Sequence, residues 1–413
     1  MEILRYIASA MLLSGMTFDA VHAGPETAPE GMLQIANSTV ICGFSANVLP
    51  NNIPVIVNDV VDQNDGQLRH IYSNVFKGFS ARMSLIAANA LAVRNPNIAF
   101  CEQNSLVQAG GIPLDISTGA KGGIGGKPGQ VTEQIIPQGI LRVGGPIDAT
   151  GLTAWVIDSG IDLDHPDLNV DASRGFDAVK AFAKGKSTFD DVNGHGTHVA
   201  GTLAAIDNNI DVVGVAAGAT VVPVRVLAAS GWGYADDVVA GMDYVAANAA
   251  RNDVANMSLW GWDHNRALHE AAEALADLIP VIVIAGNDGV DLNAQPAEPA
   301  HVEHKNIYTV SAIDHSDVFT SFSNWGFADD WNECGTNDAL GPFPCATVDY
   351  AAPGEDVTSL KPGGGLATWF GTSMAAPHVA GVILLLQNQN IKPSTDGEAI
   401  DDPDAYPDPI AHY

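Results

Sequence analysis

Apolar positions along this chain follow two different patterns, separated by a glycine-rich stretch. In residues 36–107, short runs predict strands at Ser38–Phe44, Gly66–Val75, Phe76–Met83 and Asn97–Asn104, and helical spacing predicts helices at Pro54–Asp62 and Leu85–Val93. The resulting β-α-β-β-α-β order is the split βαβ, ferredoxin-like plan of a small α+β domain. From about Val131 to Asn390 the pattern changes. Thr153–Ile157, Thr220–Val226, Val254–Ser258 and Pro280–Ala285 are continuous apolar, β-branched runs, as expected of parallel strands covered on both faces. They alternate with helical segments at His195–Ala205, Tyr234–Ala250, Leu268–Leu278 and Met374–Gln387. That alternation predicts an α/β domain with a doubly wound, mostly parallel sheet and functional groups at strand and helix ends.

The remaining segments lack such periodicity. Residues 109–130 are rich in glycine and predict a linker and processing zone, and residues 391–413 form an acidic, proline-rich tail with no assigned site. Met1–Ala23 has a charged start at Arg5, an apolar run over Tyr6–Met16 and a small-residue end at Val21-His22-Ala23. This predicts a signal peptide followed by a domain at 24–108, hence an exported protein. No other stretch approaches transmembrane length.

Charge narrows the partners. The chain of 413 residues carries 48 acidic against 18 basic residues, a net charge of −30. Such a surface repels nucleic acid and anionic membranes, so neither is expected as a partner. The four cysteines lie in no thiol-protease or Cys-x-x-Cys context, so disulfides are expected rather than thiol chemistry.

Three motifs carry candidate chemistry. Asp158 ends the buried-strand run Ala154-Trp155-Val156-Ile157-Asp158; His195 stands in Asn193-Gly194-His195-Gly196-Thr197-His198; Ser373 lies in Gly371-Thr372-Ser373-Met374-Ala375 before the apolar helix Val379–Leu386. A serine hydroxyl becomes a nucleophile only with a base to take its proton and fixed donors for the developing charge. Taken singly, each motif is an ordinary helix cap, turn carboxylate or solvated histidine. His195 and His198 could also suggest a zinc pair, but no third ligand follows at zinc-like spacing and His-Glu-x-x-His is absent. An esterase elbow, Gly-x-Ser-x-Gly, fails because Met374-Ala375 follow Ser373.

Together, in the order Asp…His…Ser and with these flanking residues, the motifs resemble the subtilase (peptidase S8) family. The wording Val75-Phe76-Lys77-Gly78-Phe79-Ser80-Ala81 and Asn95-Pro96-Asn97-Ile98-Ala99-Phe100 resembles the family's inhibitor I9-type propeptide. The resemblance implies a subtilisin-like fold and a secreted, monomeric serine endopeptidase made as a self-processing zymogen. Its partners would be protein and peptide substrates, with its own propeptide as intramolecular inhibitor. A catalytically silent binding protein of the same shape is the alternative, and the complete residue set speaks against it.

Carried over residue by residue, the resemblance makes Asp158, His195 and Ser373 the triad and Asn287 the oxyanion donor. Gly231-Trp232-Gly233 and Ser258-Leu259-Trp260 become the two edges that hold an extended substrate. Trp260 departs from the family's glycine: it would either narrow the pocket before the scissile bond or turn outward against Trp262. A structural Ca²⁺ is implied at Gln134, Asp167, Ile206, Asn208, Ile210 and Val212, with Asp211 standing where the family often has glycine. Of the three possible disulfide pairings, the neighbourly one joins Cys42 to Cys101 on adjacent propeptide strands and Cys334 to Cys345.

Overall fold

The computed structural model describes residues 28–62, 66–113, 134–179, 188–262, 264–326, 348–387, 391–404 and 406–413. The signal-peptide segment, most of the linker and the Cys334–Cys345 pairing lie outside the described residues.

The small unit contains β1 (Thr39–Phe44), α1 (Ile53–Asp62), β2 (Gln67–Tyr72), β3 (Gly78–Arg82), α2 (Leu85–Arg94) and β4 (Ile98–Gln103). Its antiparallel sheet has the order β2-β3-β1-β4. Period-two alternation in β1 sends Val40, Cys42 and Phe44 into the unit's own core and Ile41 toward the large unit. Cys42 lies opposite Cys101 and is joined to it by a disulfide. The predicted strand pair is shorter than its apolar run because Ser73, Asn74 and Val75 donate their N–H groups to Asp243 of the large unit instead of to a ladder.

After β5 (Leu106–Ala109), the large unit contains β6 (Thr153–Asp158), α3 (His195–Ala204), β7 (Thr220–Arg225), β8 (Trp232–Tyr234), α4 (Ala235–Asn248), β9 (Val254–Met257) and β10 (Leu259–Trp262). It continues with α5 (Arg266–Ala276), β11 (Val281–Ile284), β12 (Ile307–Ile313), β13 (Tyr350–Pro353), α6 (Thr372–Leu386), β14 (Ser394–Glu398) and β15 (Pro409–His412). The main sheet runs β7-β6-β9-β11-β12-β13-β15-β14, parallel except for the last pair, with Phe176–Asp177 beyond β7. Ala154 and Val156 of β6 pack with α3 and α6, while Trp155 and Ile157 pack with α4 and α5. Both faces are covered, which explains the uninterrupted apolar run. Strand order reverses at β6, where a doubly wound sheet opens a crevice at its carboxyl ends, and Asp158 ends that strand.

Two segments differ from the sequence expectation. Ala109 closes β5, and Ile112–Pro113 pairs with the strand Leu366–Phe370, so the first residues of the glycine-rich stretch are held in sheets. The acidic C-terminal segment completes the main sheet: β15 lies beside β13 with Ile410 and Ala411 fully buried. A four-residue strand flanked by Asp and Pro carries too little periodicity to be legible. Among the described residues, no helix is long and apolar enough to cross a membrane.

Candidate active site

Asp158 and His195 meet because a strand end and a helix start converge. His195 opens α3, and its Nδ1 donates to Asp158 Oδ1 and Oδ2 at 2.8 and 2.9 Å, with both side chains fully buried. A carboxylate can only accept, so the ring proton sits on Nδ1 and the Nε2 lone pair is left free. Among the described residues, Nε2 has no hydrogen-bond partner. The helix start is pinned by Asp191, which accepts from Asn193 N, Gly194 N, Thr197 N, Thr197 Oγ1 and Ser159 Oγ. Nothing in the sequence singles out Asp191, a short polar residue in a loop. His198 has a different position: its Nε2 donates to the Val357 carbonyl at 3.1 Å, its ring stacks on Trp369, and burial pushes its pKa down to about 3.

Ser373 sits in the first turn of α6, a helix buried over its whole length. Pro377 has no N–H, so the Ser373 carbonyl four residues earlier lacks its helical partner, and the Ser258 hydroxyl donates to it at 3.0 Å. In return Ser373 Oγ donates to the Ser258 carbonyl at 3.0 Å. Ser258 thus orients the nucleophile candidate from both sides.

Asn287 follows β11 through Gly286, whose φ of +106° is left-handed; a Cβ there would lie 2.3 Å from Asn324 Nδ2. Asn324 holds this turn by donating to the Ala285 carbonyl and accepting from Asp288 N and Val290 N. Its role was not legible, because it arrives from a loop far along the chain. Thr372 N and Oγ1 both donate to Asn287 Oδ1, at 2.8 and 2.9 Å, which forces Nδ2 toward the cleft. There Nδ2 donates to the carbonyl of Gly110.

The cleft holds a strand of this same chain. β5 lies between β8 and β10, antiparallel to both, with Gln108 opposite Trp232 and Trp260. Gly231, Trp232, Gly233, Ser258, Leu259 and Trp260 are therefore gathered around one extended segment. Ala109 N donates to the Gly231 carbonyl at 2.8 Å and Gly110 N to the Ser258 carbonyl at 3.3 Å. A Cβ on Gly110 would fall 2.4 Å from both Ser373 Oγ and Ile284 Cδ1, and one on Gly111 would fall 3.0 Å from His195 Nε2. The Gly110–Gly111 peptide unit thus lies between the serine and the histidine. Trp260 is turned inward, only 4% exposed; its indole N–H lies beside the Asp288 carboxylate without closing a hydrogen bond. Burial raises the pKa of Asp288.

A second cluster gathers Gln134, Asp167, Ile206, Asn208, Ile210 and Val212. The Gln134 side-chain amide donates to the carbonyls of Ile206, Ile210 and Val212 at 2.7, 3.3 and 3.0 Å. Asn208 Nδ2 donates to Asp167 at 2.6 Å. Asp211 adopts φ +46° itself, so the turn forms without glycine.

Comparisons with known proteins agree with this architecture. The model of the subtilase family, Peptidase S8, matches residues 150–400. M-protease of Shouchella clausii (strain KSM-K16) is 29% identical over 395 residues, spanning 94% of this chain and 89% of that protein. Subtilisin Savinase of Lederbergia lenta is 36% identical over 264 residues, spanning 62% and 86%. The crystal structure of a cold adapted subtilisin-like serine proteinase superposes with a TM-score of 0.55 at 31% identity, covering 68% of this chain and 98% of that one. Fold and relatives together define a serine endopeptidase. The chain belongs to the subtilase family.

Proposed function

We propose that the chain is a secreted zymogen that cuts its own Gly110–Gly111 bond and then hydrolyses protein substrates with Asp158, His195 and Ser373. The observation that carries this reading is the Gly110 carbonyl resting on Asn287 Nδ2 while Gly111 abuts His195. The Ser373 hydroxyl leaves the Ser258 carbonyl, gives its proton to His195 Nε2, and attacks the Gly110 carbonyl carbon. Negative charge gathers on the carbonyl oxygen, where Asn287 Nδ2 and the Ser373 N–H receive it. His195 then passes the proton to the departing Gly111 amine, with Asp158 stabilising the imidazolium form. Water repeats the sequence on the acyl-enzyme. The small unit is the inhibitor: after the cut, Leu106–Ala109 can stay in the cleft as an added strand.

Subtilases commonly bind structural calcium. The residues here fit such an ion, because three carbonyl oxygens converge on the amide of Gln134 as they would on a cation. Turning that amide and the amide of Asn208, which now gives Nδ2 to Asp167, would present two side-chain oxygens beside the Asp167 carboxylate, an all-oxygen set of the kind Ca²⁺ takes. The ion would brace the loop that leaves α3, at a distance from the chemistry. The inward Trp260, together with a glycine on the acyl side of the bond, supports a pocket for small residues.

The test expresses the intact and Ser373→Ala full chains side by side and reads their N-termini by mass spectrometry. The intact chain should mature with Gly111 as its new N-terminus, and the alanine variant should stay whole. Equal maturation of the alanine variant without added protease overturns self-cleavage; maturation elsewhere overturns the bond.

A further inference from the structure

Away from the triad, β10 leads into α5 past a histidine pair wrapped around a buried carboxylate. Glu298 stands in the short strand Ala297–Glu298, paired with β10 through Gly261, and is 1% exposed. Its Oε1 lies 2.8 Å from His264 Nδ1 and 3.0 Å from His269 Nδ1, whereas Oε2 has no hydrogen-bond partner among the described residues. One donor atom from each of the three residues lies within 4.8 Å of the others. His301, 2% exposed, adds another imidazole within electrostatic range of the same three groups.

As a hydrogen-bonding arrangement this is wasteful. Both imidazoles crowd the two lone pairs of one oxygen, while among the described residues the second oxygen of a buried carboxylate, which ordinarily finds a donor, is left bare. As a ligand set it is complete. Two imidazole nitrogens and one carboxylate oxygen are the donors that suit a zinc-type ion, and the nitrogens disfavour calcium and magnesium.

We propose that His264, His269 and Glu298 bind one divalent first-row transition metal ion, zinc foremost. Each neutral ring moves its proton from Nδ1 to Nε2, and the freed Nδ1 lone pairs join Glu298 in coordinating the metal. The ion would fasten the Trp260–Trp262 wall of the cleft to α5 and to the Ala297–Glu298 segment. The site does not depend on the self-cleavage proposed above.

The experiment uses untagged full chain carrying Ser373→Ala, so that its covalent state is constant, dialysed against zinc and then against metal-free buffer. Elemental analysis should find about one retained zinc per chain. Tm should rise by roughly 2–4 °C. Glu298→Gln and the His264→Ala/His269→Ala double variant should lose the zinc and the shift. Cobalt added to the chain with its ligand set intact provides a readout that needs no ligand variant. A tetrahedral visible spectrum supports the site. Retained zinc no greater than in the double variant, or a cobalt spectrum of the hydrated ion alone, overturns it.

Discussion

The small unit meets the large one in two places built from opposite materials. In the cleft, β5 pairs with β8 and β10 through backbone groups that many extended peptides could offer; from the side-chain direction Val107 is buried and Gly110 and Gly111 are pressed. On the docking face the contacts are side chains. Arg69 pairs with Asp236 and Asp237, His70 lies 2.6 Å from Asp237, and Asn104 donates to Asp236 at 2.7 Å. Glu102 accepts from Arg266 N and Ala267 N at the start of α5. Asp236 and Asp237 occupy the first turn of α4, where the helix dipole favours anions, and they are buried under the small unit. The contrast separates two tasks. On the proposed function, chemistry belongs to a cleft that takes backbone from many chains, and recognition of this particular segment to a face that needs these side chains.

The cleft half is tested most severely by Asn287→Ala. Its kcat on a peptide should fall about 10²–10³-fold, the loss a relative in this family suffers when such a donor is removed, with KM little changed. A fall of less than tenfold would move the oxyanion elsewhere. The docking half is tested by Arg69→Ala, which leaves Asp236 and Asp237 buried without their cation. Inhibition of the processed enzyme by its own N-terminal segment should weaken about 10²-fold while hydrolysis by the freed enzyme is unchanged. Undiminished inhibition would return recognition to the cleft.

Trp260→Gly sharpens the one place where the cleft does select. The ratio of kcat/KM for peptides with Phe or Ala before the cut bond should rise at least ~10-fold. An unchanged ratio would mean that the indole does not bound the pocket. The smallest effect is electrostatic. Burial lifts the Glu102 carboxyl from its ordinary value of 4.5 to about 7 in the docked state, despite its two backbone donors. The docked state therefore holds a proton that the free segment releases. Docking is strongest below pH 4.5, weakens as pH rises to about 7 and is level above that. The change should be roughly tenfold in the inhibition constant, well inside the ~300-fold limit that linkage sets for such a shift, and Glu102→Gln should flatten it. A slope that survives the substitution would belong to another group.

Much of this molecule is local, and local features are legible. Apolar runs such as Ala154–Ile157 predict covered strands, because a parallel strand must be apolar on both sides. The motifs around Asp158, His195 and Ser373 carry their own backbone requirements, so their residue types and order already point to the chemistry. The β-α-β-β-α-β order of residues 36–107 follows from the periodicities of 2 and 3.6. Tertiary structure alone decided the rest. That Gly110, in a glycine-rich stretch without periodicity, lies on Asn287 depends on β5 finding two strand edges distant in the chain. That Trp260 turns inward depends on space beside Gly286. The strand Pro409–His412 is placed by pairing with β13 on one side and β14 on the other, not by its own sequence. Glu298, His264 and His269 meet only because β10 pairs with Ala297–Glu298. Short-range sterics and periodicity are written residue by residue; the meeting of distant side chains is set by how the elements pack.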